Sequence, residues 1–184
     1  MAELLSKQLT RLVTYSASKF GGGAPRVGIL RDADQSVVDV ASVVPVAAKA
    51  HVVDMQTLIE AGADVLMEVR RAAQQATVPA EAVALWGEVT LHAPLPRPRR
   101  NVFCLGKNYS EHVTEMKRAF VHSALPTGQD LPPFPIFFTK CPDCVIAPHD
   151  YIEAHEKIST QLDYEAEMVV IIGKVCVCMC APLE

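Results

Sequence analysis

Residues 163–174 read DYEAEMVVIIGK, and this run constrains the chain more than any other. Two acids spaced two apart, Glu165 and Glu167, precede the apolar stretch Val169, Val170, Ile171 and Ile172. β-Branched side chains fit the extended, pleated backbone, so the run predicts a strand. In a strand, residues i and i+2 share a face, which directs both carboxylates onto one patch. Neighbouring carboxylates repel, and burying them without a counter-charge is costly. A hard divalent cation resolves the repulsion, because Mg²⁺ and Ca²⁺ take carboxylate oxygen. From this segment alone two readings stand: a cation site, or an exposed edge strand with two solvated acids.

Residues 101–115, NVFCLGKNYSEHVTE, form a second cluster. An apolar run (Val102, Phe103, Leu105) leads to Gly106, then a polar turn and a helix-like stretch. On a helix His112 and Glu115 are three apart and share a face. A carboxylate beside an imidazole fixes its tautomer and raises its basicity, which suits a general base acting on water. Read alone, the pair is first a surface histidine with a helical neighbour.

In order, GKNYSEHVTE, PIFFTKCPDCVIAPHDYIE and STQLDYEAEMVVIIGK resemble the motifs of the fumarylacetoacetate hydrolase family. The residues that carry the resemblance are Gly106, Asn108, Tyr109, His112 and Glu115, then Phe138 and Lys140, then Asp163, Tyr164, Glu165, Glu167, Ile172, Gly173 and Lys174. It extends from about Arg11 to Lys174. Two departures stand out. Cys141 follows Lys140 where the family more often has proline, and the family pattern continues well past Lys174 with a segment that carries a third, aspartate, metal ligand. The last ten residues, VCVCMCAPLE, do not resemble that continuation and read as a foreign tail on a C-terminally truncated chain.

The resemblance implies an α+β, mainly β fold: a small N-terminal α/β domain over residues 1–95, then residues 96–184 as the first part of an incomplete mixed β-sandwich or β-roll catalytic domain, with an atypical tail from about residue 175. It implies a divalent cation, Mg²⁺ (or Mn²⁺ or Ca²⁺), with Glu165 and Glu167 as two protein ligands, while Asp163 is read as structural. It makes His112 the base, oriented by Glu115, and assigns substrate contacts to Lys140, Asn108 and Tyr109. Lys140 neutralises a substrate carboxylate or a developing oxyanion. The implied substrates are 2-oxo acids or 1,3-dicarbonyl compounds such as acylpyruvates, cleaved at a C–C bond. Relatives use the same enolate logic for decarboxylation or double-bond isomerisation. A third alternative is an inactive fragment retaining at most partner binding, and weak or absent activity is expected of this chain because two carboxylates hold Mg²⁺ loosely. An intact member is expected to form a homodimer.

Composition excludes other classes. Half of the 184 residues are hydrophobic, so the chain is not a charge-rich disordered one. A formal net charge of −4 gives no basis for binding nucleic acid or an anionic membrane. PRPRR, residues 96–100, is a proline-stiffened linker. No stretch reaches the roughly 18 apolar residues of a membrane span. Strand-like sequence begins by Arg11 and Glu3 precedes it, which leaves little room for a cleaved leader, so a cytoplasmic location is expected, with mitochondria second. Of six cysteines, Cys104 lies in an apolar run and is expected to be buried. Cys141 and Cys144 form C-x-x-C, while Cys176, Cys178 and Cys180 alternate, which is not a zinc-knuckle spacing. Neither a disulfide framework nor structural zinc is expected.

Along the chain, strands are expected at Arg11–Tyr15, Arg26–Arg31, Ser36–Val40, Val89–Leu91 and Asn101–Leu105. Apolar spacing predicts helix from Asp54 to about Gln74 with a break at Gly62. A helix is expected over Tyr109–Lys117, followed by a long loop, Phe120–Pro135.

Overall fold

A computed structural model describes residues 10–75, 77–110 and 133–173. These divide into two compact units, with breaks at Pro96/Arg97 and Val145/Ile146; residues up to 96 group with those from 146 onward.

The first unit is built on a five-stranded sheet. Its strands are β1 (Leu12–Ala17), β2 (Arg26–Arg31), β3 (Ser36–Asp39), β4 (Val83–Leu85) and β5 (Val89–Leu91), in the spatial order β4-β3-β2-β1-β5. Every pairing is antiparallel. The expected N-terminal α/β domain is therefore α+β in its connectivity, with β1, β2 and β3 in sequential hairpins and no parallel pairing. Between β1 and β2, Gly21 and Gly23 sit at φ 91° and 93°, in the left-handed region where a side chain is strained. The β2–β3 turn is the polar Asp32–Gln35 segment.

Alternation along the strands sorts the core into two faces. Val27, Ile29 and Val38 point to one side, where they pack with Val52, Met55 and Leu58. Tyr15, Ala17, Val37 and Ala84 form a smaller cluster, with Val13, Leu30 and Leu91 packed against it. Period-two patterning thus gives β1 to β4 apolar residues on both sides of the sheet, while β5 adds Val89 and Leu91 to the smaller cluster only.

Three helices follow β3: a single turn α1 (Val40–Val43), α2 (Met55–Ala61) and α3 (Ala63–Ala73). Gly62, at φ 89°, separates α2 from α3 at the position where the sequence predicts a break. Leu58 from α2 and Val69 and Ala72 from α3 complete the core under the sheet. Asp54 caps α2: its Oδ1 accepts from the Thr57 backbone N–H at 2.7 Å and from the Thr57 hydroxyl at 2.8 Å. Replacing such a cap with alanine costs about 1 kcal/mol. Asp54→Ala is therefore expected to lower the stability read from urea unfolding by that amount, and Asp54→Asn to retain most of it; equal losses in both variants would remove the cap from the account.

The second unit contains one described antiparallel ribbon, β6 (Val102–Gly106) with β7 (Ile136–Lys140). Its register pairs Val102 with Lys140 and Gly106 with Ile136. The β-sandwich or β-roll expected beyond residue 96 is represented by this ribbon among the described residues. Phe103 and Phe137 are 71% and 64% exposed, as two strands alone cannot bury both of their faces. Cys104, expected to be buried, is half-buried for the same reason.

The strand expected over residues 163–174 is not formed in its described part, which is irregular backbone up to Gly173. Val169, Val170 and Ile172 are exposed. The physical reason is that a strand is completed by its neighbours: backbone N–H and C=O groups need a pairing edge. Among the described residues no strand pairs with this segment. Local β propensity favours an extended chain but does not supply the partner. No described helix is long and apolar enough to cross a membrane.

Candidate active site

In the second unit, β6 delivers the chain through Gly106 into a turn at Lys107, which adopts φ 55°. That left-handed step redirects the backbone so that Asn108 and Tyr109 follow immediately beyond the strand end, with Tyr109 partly exposed. Lys140 closes β7 at the other end of the same ribbon, opposite Val102. Four strand steps separate the two ends, roughly 13 Å at the usual rise per residue. Three residues expected to contact substrate thus lie at two ends of one hairpin-like ribbon. His112 and Glu115 lie outside the described residues.

Glu165 and Glu167 belong to the first unit, on the exposed irregular segment. Tyr164 donates its backbone N–H to Asp163 Oδ1 at 2.9 Å, a local turn-like bond that engages one oxygen of Asp163 with its own chain. The segment ends against α2, where a Cβ at Gly173 would approach Ile59 O at 3.0 Å and Ile59 Cγ2 at 3.1 Å. Among the described residues no group of three or more His, Cys, Asp or Glu converges. The donor chemistry nevertheless fits a hard cation. Mg²⁺ is commonly held by one or two carboxylates and keeps several waters, and Glu165 and Glu167 offer oxygen donors of that type.

The most organised polar cluster is one the sequence reading did not anticipate. Asp39 is fully buried at the end of β3. Arg26 Nε donates to its Oδ1 at 2.7 Å and Arg26 Nη2 to its Oδ2 at 2.9 Å, a two-pronged ion pair. Ser42 Oγ donates to Oδ2 at 2.6 Å, and the Tyr15 hydroxyl donates to Oδ1 at 3.2 Å. Burial alone would raise the Asp39 carboxyl, but the bonds from Arg26, Ser42 and Tyr15 outweigh it and hold the group below the ordinary aspartate range. The Tyr15 phenol moves far upward, through burial first and the Asp39 charge second. Arg26 and Asp39 also line a small pocket of about 200 Å³ with Lys49 and Val52. The sequence did carry a signal: Asp39 interrupts SVVDV, and an acid inside an apolar strand must find partners when buried. The arrangement is an internal tie between β1, β2, β3 and α1, since Arg26, Ser42 and Tyr15 all donate to one carboxylate.

Comparison with known proteins bears on residues 101–182, which match a family model described as the fumarylacetoacetate hydrolase C-terminal domain. An oxaloacetate tautomerase of Bacillus subtilis is 44% identical over 87 residues, covering 47% of this chain and 26% of that protein. A mitochondrial oxaloacetate tautomerase of Bos taurus is 32% identical over 166 residues, covering 89% of this chain and 45% of that protein. A fumarylacetoacetate hydrolase domain-containing protein 2 homolog of Dictyostelium discoideum is 37% identical over 73 residues, covering 40% of this chain and 20% of that protein. The chain spans less than half the length of these relatives. Ordered motifs between Gly106 and Lys174 and these matches agree: the chain belongs to the fumarylacetoacetate hydrolase family.

Proposed function

We propose that the protein enolises a 2-oxo acid with the help of a divalent cation, and that its first substrate class is a 2-oxo dicarboxylic acid of the oxaloacetate type. The observation that carries this reading is the motif pair around His112 and Glu165/Glu167 inside the matched region, in a chain whose relatives are named oxaloacetate tautomerases. When bound, the cation supplies Lewis-acid stabilisation of charge on the substrate oxygens. Glu165 and Glu167 hold it through carboxylate oxygen, in keeping with Mg²⁺ or Mn²⁺. His112, oriented by Glu115, moves the proton between carbon and oxygen forms of the substrate. Lys140 neutralises a substrate carboxylate, and Asn108 and Tyr109 orient the substrate backbone.

The second reading is hydrolysis of a C–C bond in acylpyruvate-like substrates, favoured by the description of the matching family model. Here His112 takes its proton from water instead of from carbon. Decarboxylation shares the same opening step. We place the protein in the cytoplasm, with mitochondria second because mammalian relatives are named mitochondrial, and we expect a homodimer.

The test is a substrate panel with Mg²⁺, followed by ultraviolet absorbance of the enol and by product mass. Enol–keto exchange of oxaloacetate without a change in mass supports the first reading, and two carbon fragments from an acylpyruvate support the second. Glu165→Ala and Glu167→Ala are each expected to weaken Mg²⁺ binding at least about tenfold, measured by titration calorimetry. Undiminished Mg²⁺ affinity in both variants would overturn the ligand assignment. Turnover on neither substrate, with a dimer retained, would leave the inactive partner-binding fragment as the standing reading.

A further inference from the structure

Immediately after Lys140, the chain turns through a short 3₁₀ segment, Pro142–Cys144. The turn is closed by the Cys144 N–H donating to the Cys141 carbonyl at 3.1 Å. It brings the two thiols of the C-x-x-C motif together, with sulfurs 3.3 Å apart, and both cysteines are exposed. A disulfide needs about 2.05 Å between sulfurs. The remaining gap of roughly 1.3 Å is within the swing of a side-chain torsion at a surface turn. Pro142 restricts the backbone inside the loop. Arg97 Nη2 donates to Asp143 Oδ1 at 3.2 Å, which directs the intervening acid toward that arginine.

We propose that Cys141 and Cys144 form a reversible dithiol–disulfide site that exchanges with small thiol disulfides. Cys141, as a thiolate, attacks one sulfur of the small disulfide. A mixed disulfide forms on Cys141 and one small thiolate leaves. Cys144 then gives up its proton to solvent, and its sulfur attacks the Cys141 sulfur. The second small thiolate leaves, and the Cys141–Cys144 bond remains. Two cysteine thiols are oxidised and one external disulfide is reduced to two thiols, so atoms and electrons balance. Hydrogen bonding between the two sulfurs pushes the Cys144 thiol upward, and we assign Cys144 the second step.

A redox pair fits the observations better than a metal centre. A structural zinc takes four ligands, usually Cys and His, whereas no described group of three or more His, Cys, Asp or Glu includes this pair. Nothing in the family reading requires the pair, because neither Cys141 nor Cys144 is among the motif residues that carry the resemblance.

The experiment uses the full chain, equilibrated in reduced and oxidised glutathione at set ratios, acid-quenched, alkylated, digested and mapped by mass spectrometry. In oxidised mixtures the peptide spanning Cys141 and Cys144 is expected to escape alkylation, two hydrogens lighter, and to recover both thiols after dithiothreitol. In Cys144→Ser, glutathione is expected to accumulate on Cys141 at least about tenfold above the unsubstituted chain, because no resolving thiol releases it. Glutathione should load more slowly on Cys144 in Cys141→Ser. The proposal is overturned if the unsubstituted peptide stays doubly alkylated or carries only mixed disulfides. It is equally overturned if either cysteine pairs with Cys104 or with the cysteines at 176, 178 and 180. These readouts need no enzymatic activity, so they stand or fall separately from the proposed function.

Discussion

Asp39→Ala is expected to destabilise the N-terminal sheet by about 3 kcal/mol or more. Removing one partner of a buried ion pair costs about 3–5 kcal/mol, because the other charge is left without compensation. Arg26 is 34% exposed at its side chain and can partly rehydrate, which moves the expectation to the lower end of that range. Against this, Tyr15 is fully buried, and its hydroxyl loses its acceptor when Asp39 is removed. Domains of this size are stable by only about 5–15 kcal/mol, so the loss is a large share of the total. Denaturant unfolding followed by circular dichroism, or by the single tryptophan Trp86, reads the effect. A midpoint shift worth less than about 1 kcal/mol would show that the tie contributes no more than an exposed ion pair.

The same cluster predicts the pH profile. Asp39 is held below its ordinary value when folded. The unfolded chain therefore takes up a proton first as pH falls, and the stabilisation is present above about pH 4 and disappears as pH drops through the lower folded value. Tyr15 acts at the opposite end. Its folded value is raised by burial and by the Asp39 charge. Unfolded tyrosine releases its proton near pH 10, so stability declines as pH rises above that point. Asp39→Asn should flatten the acid limb, and Tyr15→Phe the alkaline limb. An acid limb unchanged in Asp39→Asn would assign acid unfolding to other carboxylates.

Gly28→Val is the second large effect. Gly28 sits in β2 opposite Val13 and Asp39, with no positive φ, so its constraint is steric rather than conformational. A Cβ there would lie 2.8 and 2.9 Å from the Tyr15 ring and would overlap the Val37 Cγ1 methyl. Both neighbours are fully buried. Val37 is β-branched and stiff, and Tyr15 is held by its hydroxyl bond to Asp39. Overpacking a tight core costs about 1–3 kcal/mol. The upper end is expected here, because displacing the ring also loosens the Asp39 tie. Gly28→Val combined with Val37→Ala should cost less than the sum of the two single changes, since the second removes the overlapping methyl. Strict additivity in that double-mutant cycle would place the strain elsewhere.

Regular elements with strong local signals were legible in the sequence. β2 and β5 have the expected limits, β1, β3 and β6 shift by one or two residues, and the α2–α3 pair breaks at Gly62. Strands β4 and β7 were not identified. Val83–Leu85 is too short to show a period, and Ile136–Lys140 follows a proline-rich stretch that reads as loop. Residues 163–173 erred in the other direction. Their composition favours a strand, but pairing depends on a neighbour that local sequence does not specify. For the candidate site, the sequence supplies residue types, with Glu165 and Glu167 two apart in the motif, and their roles belong to the proposed function. The separation of Lys140 from Asn108 and Tyr109 was not legible, because it depends on the register of β6 with β7.

By itself the sequence determined the family, the alternation that builds the first sheet, and the residue types from which a cation site and a proton-transferring base can be assembled. These are short-range properties, written in spacings of two, three and four residues. Only the tertiary structure decided that Asp39 gathers Arg26, Ser42 and Tyr15, that Gly28 leaves room for a buried ring, and that Cys141 and Cys144 face each other across one turn. Each of these depends on which backbone segments pack or pair side by side, and that is settled by the sum of burial and hydrogen bonding over the whole unit rather than by any one stretch of chain.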